Sequence, residues 1–134
     1  MANKRPTTSR IAYVDTSCVI AILFGERGGA AVERRVRAFD EIISSNLMEA
    51  ELQAALAREG VDPDPDLLGT ISWVLPVRPL SMEIARVLET GYLRGADCWH
   101  VAAALYVAGD PADITFLTLD LKQRDVARRC GFVV

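Results

Sequence analysis

The chain has 134 residues, about the length of one globular domain, and its 51% hydrophobic content is sufficient to build a core. Its 15 basic and 18 acidic residues give a net charge of −3, unlike the strongly basic balance of a protein that simply coats nucleic acid. No apolar stretch reaches the roughly 18 residues of a membrane helix, and the polar start MANKRPTTSR lacks the apolar segment of a secretory signal, so we expect a cytosolic protein.

The cysteine pattern excludes two further classes of protein. Cys18, Cys98 and Cys130 are odd in number and none forms a CxxC pair, which disfavours a disulfide framework and a zinc site. His100, the single histidine, lies two residues from Cys98 on a predicted helix, where the two side chains would not face each other. A Cys–His enzyme is therefore disfavoured, and each cysteine is expected to pack as a small apolar residue.

Strand-like and helix-like segments alternate along the chain, after a flexible N-terminal tail expected at residues 1–9. The predicted strands are Arg10–Asp15, Glu41–Ser44, Asp113–Asp120 and a final edge strand at Phe132–Val134, with a short extended piece at Pro76–Leu80. The predicted helices with both ends assigned are Ser17–Phe24, Ala30–Phe39, Leu47–Glu59, which stops at Gly60, and Leu121–Gly131. Three more helices are predicted between them: one near Leu67–Trp73 after a loop at Val61–Asp66, one that starts from an N-cap at Ser81, and one that ends at Gly109. This alternation predicts a single α/β domain over residues 10–134, with helices on both faces of a mostly parallel sheet.

Two acidic residues follow apolar strands at their carboxyl ends. Asp15 ends the segment AYVD, and Asp120 ends TFLTLD. Ligands of such sheets bind beyond the carboxyl ends of the strands, so we expect both acids at the same edge. Each also has a purely structural interpretation, since Asp15 can cap a turn or the next helix, and Asp120 can cap a helix from Leu121 with Gln123 completing a capping box. Their equivalent positions favour a functional site.

The helix after Asn46 carries two acids with different surroundings. The residues three and four positions from Glu51 are all apolar: Leu47, Met48, Ala54 and Ala55. This pattern places Glu51 on the core-facing stripe, where a carboxylate requires a partner. Glu49 has mostly polar neighbours and fits a capping arrangement with Asn46, so we interpret it as structural.

The apolar helix ADCWHVAAAL opens with Asp97 and carries His100 on the same face. A negative charge in the first turn of a helix is favourable without any function. His100 has three interpretations: a core histidine with satisfied hydrogen bonds, a partner behind Asp97, or a general base.

The four acids, if brought together, would repel one another and be partly protonated unless a cation neutralised their charge. They are Asp15, Glu51, Asp97 and Asp120. The interior-looking segments around them contain no basic residue. Ligands that are all oxygen suit Mg²⁺ or Mn²⁺ rather than zinc. Such a centre can activate a water and stabilise a phosphoryl transition state, so the chemistry indicated is phosphodiester hydrolysis.

Four segments of the chain resemble, in order and spacing, the motifs of PIN-domain nucleases, and more closely the VapC toxin ribonucleases of bacterial toxin–antitoxin pairs. The segments are YVDTSCVIAIL, SSNLMEAELQAAL, LRGADCWHVAAAL and FLTLDLKQRDVARRCGF. The resemblance runs from about Arg10 to Val134 and implies a PIN-like three-layer α/β/α sandwich. It also implies that the family's acidic quartet, which binds Mg²⁺ or Mn²⁺, corresponds to Asp15, Glu51, Asp97 and Asp120.

The resemblance further implies supporting residues and partners. Ser17 and Thr118 match the serine and threonine of the first and last motifs, and His100 matches a position often filled by histidine. The implied activity is that of a metal-dependent endoribonuclease acting on structured RNA such as transfer or ribosomal RNA. The implied partners are a cognate VapB-type antitoxin that covers the site and a second copy in a homodimer, with no membrane.

Three basic residues lie near the acids in sequence. Arg27 in GERGG, and Lys122 and Arg124 beside Asp120, could contact RNA phosphates. The alternative interpretation is a solvated turn and an exposed helix face.

Two other functions are left open by the sequence. Another Mg²⁺-dependent phosphoesterase, such as a phosphatase of the haloacid-dehalogenase type, would carry Asp-x-Asp after its first strand, whereas Thr16 and Ser17 follow Asp15 here. A non-catalytic PIN-like RNA- or protein-binding module is the second, and the presence of all four acids disfavours it.

Overall fold

Strands and helices alternate in the computed structural model, which describes residues 9–134; the predicted N-terminal tail lies outside the described residues except for Ser9. The strands are β1 (Ile11–Val14), β2 (Glu41–Ser45), β3 (Ile71–Val74) and β4 (Ile114–Leu117). The α-helices are α1 (Thr16–Leu23), α2 (Gly29–Arg37), α3 (Asn46–Glu59), α4 (Pro65–Gly69), α5 (Ser81–Thr90), α6 (Gly95–Val107) and α7 (Leu121–Arg129). None of these helices is long and apolar enough to cross a lipid bilayer.

The four strands form one parallel sheet in the order β3-β2-β1-β4. The chain moves outward from β1 to β2 and β3, and then returns to place β4 on the other side of β1, with Val14 opposite Leu117. Strand order therefore reverses between β1 and β4. The crevice beyond the carboxyl ends of two such strands is where ligands bind in this class of fold.

Helices cover both faces of the sheet, which confirms the three-layer α/β/α prediction. On one face Tyr13 and Phe116 pack with residues of α5, α6 and α7. On the other face Ala12, Val14 and Leu117 pack with residues of α1, α2 and α3. Successive strand residues point to opposite faces, so a strand buried on both sides is apolar throughout, as β1 is.

The region between α3 and α5 differs from the prediction. Helix α4 begins at Pro65, inside the predicted loop, because Asp64 caps it by accepting from the backbone N–H groups of Asp66 and Leu67. The helix predicted near Leu67–Trp73 is wrong after Thr70, since Ile71–Val74 pairs with β2 as strand β3. A short apolar run fits a strand or a helix equally well until its pairing partner is known.

Several element ends also differ from the prediction, and the strand predicted over Asp113–Asp120 ends at Leu117, three residues before Asp120. Ser81 is the first residue of α5 and Leu80 is the N-cap, without a side-chain hydrogen bond. Helix α6 ends at Val107, two residues before Gly109. The predicted edge strand at Phe132–Val134 is reduced to one bridge between Val133 and Thr115. Gly60 ends α3 in the left-handed conformation, with a φ of 64°, as its sequence position predicts.

Candidate metal centre

Asp15 follows β1 directly and is 4% exposed, which makes it the most deeply buried of the four acids. Asp15 is the N-cap of α1, so the helix-capping role that the sequence predicts for it is confirmed. Its Oδ1 accepts from the Ser17 hydroxyl at 2.7 Å and from the Cys18 backbone N–H at 3.4 Å, and its Oδ2 accepts from the Thr118 hydroxyl at 2.9 Å. Burial raises the pKa of Asp15, against the lowering effect of the Ser17 and Thr118 hydrogen bonds. The charge of Asp15 is thus costly where it lies.

Asp120 lies on the other side of the β1–β4 crevice and caps α7. Its Oδ1 accepts from the backbone N–H of Gln123 at 2.8 Å, and its own N–H donates to Thr118 Oγ1 at 3.0 Å. The predicted capping box is only half formed, because the Gln123 side chain turns inward. There its Oε1 lies 2.7 Å from Thr118 Oγ1, and its Nε2 donates to the Asp97 carbonyl at 3.1 Å. Thr118 and Gln123 therefore connect the backbones that carry Asp15, Asp120 and Asp97.

Glu51 enters the crevice from α3. Its Oε1 accepts from the Thr16 hydroxyl at 2.9 Å and lies 2.9 Å from His100 Nε2. The hydrogen bond with His100 is the largest of the effects that lower the pKa of Glu51. The expected core-facing position is wrong in detail, because the Glu51 side chain is 35% exposed. The buried stripe of α3 is formed by Met48, Leu52 and Leu56.

Glu49 is exposed, as expected of a residue without a site role. The capping arrangement proposed for Asn46 and Glu49 is absent, since Ser45 is the N-cap of α3 and makes no side-chain cap hydrogen bond. The helix begins one residue earlier than the pattern predicts, directly where β2 ends.

Asp97 lies half-buried in the first turn of α6. Burial is the main cause that raises the pKa of Asp97, and the negative charges of Asp120 and Glu51 raise it further. The positive charge of Arg94, and that of His100 when its ring is protonated, act in the opposite direction. Asp97, Asp120 and Glu51 come from three different helices or their N-caps and thus share one electrostatic environment, as expected of a cation site.

The oxygen atoms left over by these hydrogen bonds fit a hard divalent cation. Asp15 retains one lone pair on Oδ2, and no described residue hydrogen-bonds to Asp120 Oδ2, Glu51 Oε2 or the Asp97 carboxylate. No Lys or Arg within residues 9–134 forms an ion pair with any of these four acids. No three His, Cys, Asp or Glu side chains in that range are grouped so that together they could hold a metal ion. Mg²⁺ usually needs only one or two carboxylates and keeps several waters, so the donor set still fits this ion.

The basic residues predicted near the site differ in their surroundings. Arg27 is exposed in the turn before α2. The Lys122 ammonium lies 5.0 Å from the centroid of the Tyr92 ring. Arg124 donates to the Thr118 carbonyl at 2.9 Å and lines a cavity of about 200 Å³ together with Arg35. Of the three predicted residues, Arg124 alone is bonded to a residue that contacts Asp15.

Sequence reasoning assigned no site role to three polar residues of this region: Tyr13, Thr16 and Gln123, the last of which was predicted only as part of a capping box. Thr16 and Gln123 are buried, and each hydrogen-bonds near an acid of the site. For these two residues the sequence offered a signal: each is polar, is close in sequence to a candidate metal ligand, and occupies a helix position that the apolar pattern predicts to be buried. Tyr13 carried no such signal, because a tyrosine in an apolar strand resembles an ordinary core residue.

The comparisons with known proteins give one positive finding. The family model described as PIN domain matches residues 12–129, a range that contains all four acids. No curated protein matches the chain.

Proposed function

The chain belongs to the PIN domain family, whose members are generally nucleases, and from this premise we propose that it is a Mg²⁺- or Mn²⁺-dependent endoribonuclease and a VapC-type toxin. The observation that supports the proposal is the linkage of the four acids at the carboxyl end of the sheet: the charges of Asp120 and Glu51 raise the pKa of Asp97, and Thr118 hydrogen-bonds both to the Asp15 carboxylate and to the Asp120 backbone. Asp120, Glu51 and Asp97 each retain an oxygen that described residues leave free, Asp15 retains a lone pair on Oδ2, and none of the four is paired with Lys or Arg in that part of the chain. Such an arrangement costs stability unless a cation completes it.

The residues that would hold the cation are Asp15, Asp97 and Asp120, with Glu51 at the edge of the set. A bound Mg²⁺ or Mn²⁺ supplies a water of lowered pKa as nucleophile and neutralises charge on a phosphodiester. Ser17 and Thr118 keep the buried Asp15 carboxylate in place by donating to its two oxygens. Arg124 is within the same network and is the basic residue best placed to contact an RNA phosphate.

The further parts of the proposal come from the likeness of the four motifs to VapC toxins. We propose structured RNA, such as transfer or ribosomal RNA, as substrate, a VapB-type antitoxin as inhibitor, a homodimer as the assembled form and the cytoplasm as the place of action. Expression of the protein without its antitoxin should therefore arrest bacterial growth.

The test is incubation of the purified protein with total cellular RNA in Mg²⁺, Mn²⁺ or EDTA. We expect discrete cuts that need the metal and disappear in Asp15→Asn and in Asp97→Asn. Glu49→Gln is the matched control, since Glu49 belongs to the same helix as Glu51 but is exposed away from the site, and it should cleave as the wild type does.

Three outcomes would contradict the proposal or a part of it. Metal binding without cleavage of any RNA would favour the non-catalytic RNA- or protein-binding alternative. Absence of metal binding by calorimetry would refute the carboxylate site itself. Loss of activity in Glu49→Gln but not in Glu51→Gln would show that the wrong face of α3 has been assigned to the site.

A further inference from the structure

His100 is the single histidine of the chain and is 2% exposed, yet both of its ring nitrogens have partners. Nδ1 lies 2.8 Å from the Tyr13 hydroxyl. Nε2 lies 2.9 Å from Glu51 Oε1 and 3.3 Å from Thr16 Oγ1. With both nitrogens bonded to protein groups and the ring buried, His100 offers no nitrogen to a substrate in this structure, whereas a general base must come within hydrogen-bond reach of the proton that it removes.

The direction of these hydrogen bonds follows from the chemistry of the partners. An ionised carboxylate can only accept, so the proton between Glu51 and His100 lies on Nε2. In a neutral imidazole with its proton on Nε2, Nδ1 carries the lone pair. A phenol is protonated at neutral pH, so the Tyr13 hydroxyl donates to Nδ1. The whole chain of bonds then runs one way, from the Tyr13 hydroxyl through the imidazole to Glu51. This order assigns the Nε2–H tautomer to His100.

The end of this hydrogen-bond series that lies farthest from Glu51 is tightly packed. Tyr13 is 0% exposed in the middle of β1, and its ring stacks on Phe116 with centroids 5.1 Å apart and planes at 7°. The His100 ring meets the Tyr13 ring edge-on, with centroids 5.9 Å apart. Glu51, by contrast, has a long side chain that is 35% exposed and would otherwise sample several rotamers.

We propose that Tyr13 and His100 are positioning residues that, together with Thr16, hold Glu51 Oε1 so that Oε2 is presented to the metal, and that His100 does not serve as the general base. The inference rests on the proposed metal centre for the role of Glu51. It does not depend on RNA as the substrate. The hydrogen bonding of residues behind a ligand commonly changes metal affinity by 10- to 100-fold, which gives the expected size of the effect.

The first experiment reads the tautomer of His100 directly. Because the chain contains one histidine, a long-range ¹H–¹⁵N spectrum of the ¹⁵N-labelled protein, with any affinity tag removed, contains a single imidazole. We expect a protonated Nε2 and an Nδ1 that carries a lone pair. Tyr13→Phe should shift the Nδ1 resonance toward the value of a nitrogen without a hydrogen-bond donor and leave Nε2 protonated. A protonated Nδ1 with a bare Nε2 in the wild type would overturn the proposal.

The second experiment compares two substitutions of similar size at His100. In His100→Gln the amide N–H can still donate toward Glu51, whereas His100→Met offers no donor. Calorimetric titration with Mn²⁺ should give a dissociation constant close to that of the wild type for His100→Gln. For His100→Met it should rise by about tenfold or more. Equal Mn²⁺ affinity of His100→Met and the wild type would overturn the proposal.

The controls separate positioning from folding and from the proposed function. Near-ultraviolet circular dichroism and thermal melting show whether each variant is folded, and if His100→Met is not, the ¹H–¹⁵N spectra of the wild type and Tyr13→Phe decide the question. A wild type that cleaves no RNA contradicts the proposed ribonuclease, while the tautomer and the Mn²⁺ titration still test the positioning of Glu51. If the wild type cleaves RNA but His100 carries its proton on Nδ1, the proposed nuclease is supported and the positioning of Glu51 by His100 is refuted.

Discussion

Thr118→Val tests whether one hydroxyl holds the carboxylate site together. The Thr118 Oγ1 lies 2.9 Å from Asp15 Oδ2, 2.7 Å from Gln123 Oε1 and 3.0 Å from the Asp120 backbone nitrogen, and the residue is 4% exposed. Valine has nearly the same shape, so the change removes hydrogen bonds without leaving a cavity. The one hydroxyl proton serves one acceptor at a time, so the side chain makes one donated bond, which contributes about 1.5–3 kcal/mol when it goes to the Asp15 carboxylate, and one accepted bond from the Asp120 N–H, which contributes about 1 kcal/mol. The buried groups left behind find no water.

The expected loss for Thr118→Val is therefore roughly 3–4 kcal/mol of the free energy of unfolding, out of the about 5–15 kcal/mol of a typical domain. For a domain of 134 residues this corresponds to a fall in Tm of roughly 10–15 °C. Urea unfolding followed by circular dichroism in EDTA measures the effect. The m value should not change, because the surface exposed on unfolding is nearly the same.

Two control variants isolate the hydroxyl. Thr118→Ser keeps the donor and loses only a methyl group, with an expected cost of about 1 kcal/mol. Thr115→Val changes a half-buried threonine of β4, the strand that ends just before Thr118. Thr115 makes no side-chain hydrogen bond within the described residues, and the change should alter stability by less than about 0.5 kcal/mol. If Thr118→Val and Thr118→Ser are equally stable within about 0.5 kcal/mol, the reasoning is refuted.

The remaining predictions concern pH, packing and a free helix position. Because burial raises the pKa of Asp15, the metal-free wild type should lose stability relative to Asp15→Asn as pH rises from the ordinary aspartate range through the raised pKa. Urea unfolding of both proteins in EDTA from about pH 4 to pH 8 measures this, and a difference that does not change with pH would contradict it. Gly29→Ala should lower Tm, at a cost of about 1–3 kcal/mol, because the added Cβ would clash with the backbone carbonyl of Ala21. Gly69→Ala in α4 meets no atom within 4 Å and should raise stability by about 0.5–1 kcal/mol in the same melting experiment.

The sequence predicted the position of two candidate site residues where the pattern was local. An apolar strand followed by an acid gave both Asp15 and Asp120, and the rule that parallel strands align their carboxyl ends placed both at one edge. The structure agrees with this placement, since β1 and β4 are neighbours with Val14 opposite Leu117. Burial of β1 on both faces also made it the clearest strand in the sequence.

The parts that could not be predicted depend on contacts between distant segments. Strand β3 has four residues and becomes a strand by pairing with β2, so the apolar run Ile71–Val74 carries no helix-versus-strand signal of its own. Glu51 lies at the edge of the buried stripe because the packing of α3 is centred on Leu52, a rotation that periodicity over one helix does not resolve. The hydrogen bond of Tyr13 with His100 joins residues 87 positions apart.

The order of the strands has a consequence for protein synthesis. Asp15 leaves the ribosome early, but its hydrogen-bond partner Thr118 lies 103 residues later in the chain, and the central strand β1 remains an open edge until β4 pairs with it. A nascent chain that has not yet exposed Ile114–Leu117 lacks half of the crevice, and long-range pairing of this kind is slow to form. For the proposed ribonuclease, activity would thus begin only after nearly the whole domain has been translated, and stalled chains that end before Ile114 should cleave no RNA.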